Sequence, residues 1–165
     1  MVGVTAIGLM GATVFTAQAH ASSYGLELNG QYLVTSNGDW AKSNDVYHDE
    51  WSVRQVWNIQ TSCSDMQTCT GQVTSSQGWT EPIRFWSDHW IVNRTIPDWQ
   101  PCFDGTTSPG HQKYWFWPVD SIGQNVTTDG SILGGWDQTI GVSGGCGKNL
   151  PLEIKSPLRL QRTLP

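Results

Sequence analysis

Apolar and polar residues alternate along this chain far more often than they recur at helical spacing. In WSVRQVWNIQT, residues 51–61, Trp51, Val53, Trp57, Ile59 and Thr61 share one parity, while Ser52, Arg54, Asn58 and Gln60 take the other. That is the period of a strand with one buried face, and it predicts Trp51 and Trp57 on the apolar, core-facing side of one strand. Gln55 and Val56 break the alternation. Comparable runs are GQYLVTS (30–36), GQVTSS (71–76), PIRFW (82–86), HWIVNRT (89–95), KYWFWPV (113–119), DQTIGV (137–142) and LEIKSPLRL (152–160). Between them stand the turn formers Ser36-Asn37-Gly38-Asp39, Asp104-Gly105-Thr106, Ser108-Pro109-Gly110, Asp129-Gly130-Ser131 and Gly144-Gly145. About eight strands joined this way predict an all-β fold, an antiparallel barrel or sandwich of lipocalin-like type.

No window combines a sustained helical period with a capping signal, and 18 glycines and 8 prolines disfavour long helices. The best candidate for a short helix is NDVYHDE, residues 44–50, capped by Asn44, with a loop as the alternative.

The ends and the cysteines set the compartment. The first 21 residues read as a signal peptide, an apolar run closing on Ala19-His20-Ala21, the small-residue geometry of a cleavage site. The usual positive charge before such a run is missing, since the first basic residue is Lys42. Thr5, Thr13, Thr16 and Gln18 interrupt the run, which falls short of the roughly 20 apolar residues of a membrane span, so no stable anchor is expected after cleavage. Residues 22–165 then form a single secreted β domain of ordinary size. Cys63, Cys69, Cys102 and Cys146 allow three pairings into two disulfides. Cys63 and Cys69 flank the turn-forming SDMQT, which favours a local bridge and leaves Cys102 with Cys146. None of the spacings matches a zinc site, and no other metal or cofactor is expected.

Charge narrows the partners. With 9 Lys and Arg against 14 Asp and Glu, the net charge is -5, which argues against nucleic acid or an anionic membrane surface. The small basic end, Lys155, Arg159 and Arg162, reads as a solvated strand edge.

The stretches GQYLVTSNGDWAKSN, WNIQTSCSDMQTCTGQVTSSQGW, PDWQPCFDGT and CGKNLPLEIKSPLRL resemble a group of small secreted mycobacterial proteins without assigned activity. More loosely, the W-x-I-x-x-x-C…C-x-G-x-V pattern resembles the extracytoplasmic sensor portions of some mycobacterial membrane serine/threonine kinases. The likeness spans most of residues 30–160 and implies an exported, disulfide-bonded β domain, with no catalytic residues to carry over.

Ten tryptophans lie between Trp40 and Trp136. Indoles are large and need an outlet for their N–H, so they suit barrel interiors, interfaces and pocket walls. In RFWSDHWIVNR, residues 84–94, Ser87-Asp88 at a bend would put Trp86 and Trp90 at a hairpin end. In KYWFWPV, Tyr114 and Phe116 share one face and Trp115 and Trp117 the other, so both faces must be covered. Trp86, Trp90, Tyr114, Trp115 and Trp117 are therefore the candidate ligand-binding residues, in an aromatic-rich cavity or on a surface that takes a small apolar or glycan ligand or an envelope protein.

Catalytic motifs do not survive their context. GVSGG (141–145) matches a nucleophile elbow, but no histidine follows Ser143. His48, Asp49 and Glu50, with His89 or His111, supply acid-base groups at spacings that match no ligand pattern. The reading is a non-enzymatic exported binding domain. The alternatives are an envelope hydrolase using those groups and a purely structural secreted protein.

Overall fold

A computed structural model describes residues 24–163, so the proposed signal sequence lies outside the described residues. Eight strands build the body: β1 (Asn29–Ser36), β4 (Val53–Cys63), β5 (Cys69–Ser75), β6 (Thr80–Trp86), β7 (His89–Pro101), β8 (Thr107–Pro118), β9 (Ile132–Gly141) and β10 (Glu153–Arg162). Each pairs antiparallel with the next, and β10 returns to β1 through Tyr32↔Arg162 to Ser36↔Leu158, closing an up-and-down barrel. A two-residue pair, β2 (Lys42–Ser43) and β3 (Val46–Tyr47), is laid against β10. The eight alternating runs of the sequence are these eight strands, and closure excludes the sandwich.

The interior is filled. Tyr32 and Val34, Trp57 and Ile59, Val73, Ile83, Trp90 and Val92, Tyr114 and Phe116, Leu133, and Leu158 and Leu160 meet in one buried cluster. Trp57 stands edge-on to Tyr114, with ring centroids 4.9 Å apart. Eight strands leave an interior that side chains this large can fill. The disulfides join Cys63 to Cys69 and Cys102 to Cys146, at opposite ends of the barrel.

Four local expectations need correction. Residues 44–50 are not helical: Asn44 and Asp45, with φ of 48° and 66°, form the tight turn between β2 and β3. Ser108-Pro109-Gly110 is strand rather than turn. β8 pairs with β7 through Gly110↔Ile96 and Gln100↔Ser108, with a register shift between them, so Pro109 faces a bulge where no ladder donor is required. Trp51 is 95% exposed, whereas Trp57 is buried as predicted. The backbone of Glu50 and Trp51 lies against Gly38, the Glu50 amide donating to the Gly38 carbonyl, so pairing with β1 begins only at Val53. Finally, Lys155 and Arg159 stand on a strand paired on both sides, not at an edge, and Arg162 donates to the Tyr32 hydroxyl at 2.7 and 3.0 Å.

Candidate functional site

The barrel's two ends differ. One gathers the turn between β6 and β7, the 63–69 turn, the segment before β1 and the long connection from β8 to β9. The opposite end gathers the β5–β6 and β7–β8 turns and the segments 37–52 and 142–152.

At the first end a groove of about 640 Å³ runs between three separate stretches of chain. Its apolar lining comes from Leu26 and Leu28 before β1, Phe85 and Trp90 across the β6–β7 pair, and Trp117 and Val126 around the β8–β9 connection. Phe85 pairs with Trp90 across the ladder, their rings 5.4 Å apart and edge-to-face. The turn joining these strands has Ser87 and Asp88 at φ 49° and 63°, a geometry that glycine or asparagine adopts more readily. His89 bonds the Ser87 carbonyl through its ring nitrogen and lies edge-on to Trp117 at 4.9 Å, which fixes the indole on the rim.

The groove's charged groups are Glu27, Asp88, Asp129 and Arg162, beside the hydroxyls of Thr127 and Thr128. Asp129 accepts from the Ser131 amide and hydroxyl, at 2.9 and 2.7 Å, and these bonds hold its carboxyl below the ordinary range, with a smaller contribution from the Arg162 charge. Arg162 is engaged by the Tyr32 hydroxyl, which itself donates to the Gly130 carbonyl at 3.0 Å. Burial raises the Tyr32 hydroxyl above its ordinary value, opposed by Arg162, so it stays a neutral donor. Three carboxylates and one occupied guanidinium suit a hydroxyl-rich or cationic group better than an anion.

The five candidate aromatic residues do not come together. Trp90 and Trp117 line this groove. Trp86, 65% exposed, lines a neighbouring depression of about 540 Å³ that shares Phe85 and Asp88 with it. Tyr114 lies in the core, its hydroxyl 3.5 Å from the Gln55 amide, and burial pushes that hydroxyl's pKa well up. Trp115 faces outward beside Trp136. Sequence reasoning missed Leu26, Leu28, Phe85 and Val126, because the groove is assembled from segments distant in the chain and none carries a local pattern.

The mouth of the barrel at the opposite end is plugged, and the depression of about 510 Å³ at that end lies outside the plug, between Asn44, Gln100 and residues 145–152, with no aromatic ring in its lining. Trp79 packs on Trp57 at 5.4 Å, with the Arg94 guanidinium 4.8 Å from its ring. Trp99, turned inward after the bulge, occupies the space over Gly110, where a Cβ would lie 2.6 Å from the indole. Beneath them Asp137, half-buried, accepts from Ser36 at 2.6 Å and Gln112 at 2.7 Å. Burial raises its carboxyl above the ordinary range, while those bonds and the Arg94 charge pull the other way. Gln55, the polar misfit of its strand, accepts from Ser75 at 2.6 Å, and its inward position follows the parity.

The acid-base groups are dispersed. His48 sits 3.0 Å from Glu50 in an exposed loop at the plugged end, while His89 is at the groove end. Ser143 donates to the Asn149 carbonyl at 3.3 Å within a surface turn. Asp98, Asp104 and Asp129 each accept from a nearby threonine or serine and do not converge.

No protein-family model matches this chain, and no curated protein matches it. Among solved structures, the chain is similar to the sensor domain of PknI from M. tuberculosis in its monomer form, at a TM-score of 0.59 and 15% identity. The match covers 83% of this chain and 88% of that one. At that identity the likeness is one of fold. The two disulfides by themselves suit an extracytoplasmic setting. Among the described residues no helix is long and apolar enough to cross a membrane.

Proposed function

We propose that this is an exported, non-enzymatic binding domain that takes a small amphipathic ligand in the groove at the barrel's open end. The observation that carries this reading is the apolar lining from Leu26, Leu28, Phe85, Trp90, Trp117 and Val126, bordered by Glu27, Asp88, Asp129 and Arg162. Pockets of this kind are mostly apolar, with a few polar groups that orient the ligand. The interior holds none of it, since the core is filled. An apolar tail would lie along Leu26, Phe85 and Trp117, over the buried Trp90 that floors the groove, with a sugar or other hydroxylated head at the carboxylates. The likeness to a sensor domain supports recognition rather than turnover, and the dispersal of His48, His89 and Ser143 supports it independently.

Native mass measurement of the secreted protein before and after organic-solvent extraction tests this, together with titration by dodecyl maltoside below its micellar concentration. Loss of a bound mass, or a saturable fluorescence change abolished by Trp117→Ala, is the expected result. An unchanged mass with no response to the maltoside would leave the purely structural reading.

A further inference from the structure

The outer face of β7–β10 has a charge balance opposite to that of the chain. Register places two neighbouring rows across this wall. One runs Ile91, Trp115, Trp136, Pro157. The next runs Asn93, Lys113, Gln138, Lys155, Lys42, Tyr47. The Lys155 ammonium stands 4.6 Å from the Trp136 ring centre and 5.3 Å from that of Trp115, while Lys113 is 5.2 Å from Trp115. Lys42 lies 4.9 Å from Tyr47. A row beyond the indoles, Arg159 donates to the Ser121 carbonyl at 3.1 Å. Among the paired residues facing outward here, the carboxylate is Glu153, and it accepts from Gln138 at 2.6 Å. So Lys42, Lys113, Lys155 and Arg159, four of the 9 bases, share this wall with two of the 14 acids, Glu153 and, past the bulge in β7, Asp98, which accepts from Thr107.

We propose that this wall binds an acidic polysaccharide, with Trp115 and Trp136 against the sugar rings and Lys113, Lys155 and Lys42 on its carboxylates. The ammonium groups already rest near the aromatic rings, so they lose less freedom on pairing an anion than extended lysines would. Lys113 and Lys155 lie two strands apart, about 10 Å at ordinary sheet spacing, and Lys42 one strand further, so the cations form a line rather than a cluster. A line of separated charges beside flat apolar faces matches a linear glycan carrying carboxylates at intervals. A lipid bilayer is the poorer fit: both indoles are half-buried with the Lys155 ammonium near each ring, and neither projects to insert.

The test is titration of the intact, disulfide-bonded protein with polygalacturonate, read by tryptophan fluorescence at about 20 mM and about 500 mM salt. Saturable binding that is lost at high salt is expected. The paired change Lys113→Gln with Lys155→Gln should weaken it about tenfold without altering thermal unfolding, and Lys→Arg at both positions should restore it. Absence of binding at low salt, equal binding by the glutamine variant, or equal binding to neutral dextran would overturn the proposal. So would binding to phosphatidylglycerol vesicles as strong as to the polyuronate, which would make the wall a membrane-facing surface. Phe85→Ala, in the groove and off this wall, should leave this titration unchanged, which separates it from the groove.

Discussion

At the plugged end Trp79 lies edge-on to Trp57, and Trp99 fills the space over Gly110; at the groove end Trp90 and Trp117 line an opening of about 640 Å³. Both ends use indoles, and both are tied by a disulfide. The difference lies in what stands beside the rings. Trp79 and Trp99 meet ring faces and glycines that let them close down on the core. Trp90 and Trp117 meet a hairpin turn, the chain before β1 and the β8–β9 connection, which stand apart far enough to leave a groove. A count of tryptophans therefore says little about ligand binding; the separation of the segments around them decides it.

The comparison can be broken most severely at the core both ends share. Trp57→Ala should cost about 3–5 kcal/mol, because a buried indole contacting Trp79, Tyr114 and Phe116 leaves a cavity the closed barrel cannot collapse. Trp117→Ala on the groove rim should cost about 1 kcal/mol by urea denaturation. If the two losses were equal, the ends would not differ as described.

The disulfides give the next contrast. Replacing Cys102 and Cys146 by serine removes a link with a sequence separation of 44 and should cost about 4 kcal/mol in the loop-entropy model. The Cys63–Cys69 pair, with a separation of 6, should cost about 2 kcal/mol. Calorimetric midpoints of the two double variants make the comparison directly. Gly110→Ala tests the plug itself. Its methyl group must displace Trp99, and a loss of about 1–3 kcal/mol is expected, with a change in near-ultraviolet dichroism.

The smallest effect concerns charge at the plugged end. Because Asp137 is raised by burial, the native state binds its proton more readily than the unfolded chain does. Stability should therefore fall as pH climbs from the ordinary carboxylate range through the raised value, and that contribution should level off above it. In Asp137→Asn this fall disappears, so the urea midpoints of parent and variant should diverge as the pH rises above the ordinary carboxylate range. Parallel profiles would mean the carboxylate is better solvated than its surroundings indicate.

The fold was legible because strands write their buried face into a period of two. Each of the eight runs is a barrel strand, and the double-sided aromatic run 113–119 does place Tyr114 and Phe116 inside and Trp115 and Trp117 outside. The disulfide pairing followed from one short turn. What escaped depends on tertiary contact. Pro109 stays in a strand only because Trp99 sits on a bulge opposite, and Trp51 leaves the core because Gly38 lets the chain pass too close for pairing. The groove had no local sign, since Leu26, Phe85 and Val126 meet only after closure. Net charge misled in the same way. A total of -5 conceals a wall where lysines gather, because register across four strands aligns residues far apart in sequence.

The most direct test follows the ten indole N–H resonances of ¹⁵N-labelled protein during titration with dodecyl maltoside. Binding at the open end shifts Trp90 and Trp117 while Trp57, Trp79 and Trp99 stay in place. Shifts at Trp57 and Trp79, or shifts spread evenly over all ten, would mean that the ligand enters the barrel or unfolds it, and the division between a filled interior and an outer groove would be contradicted.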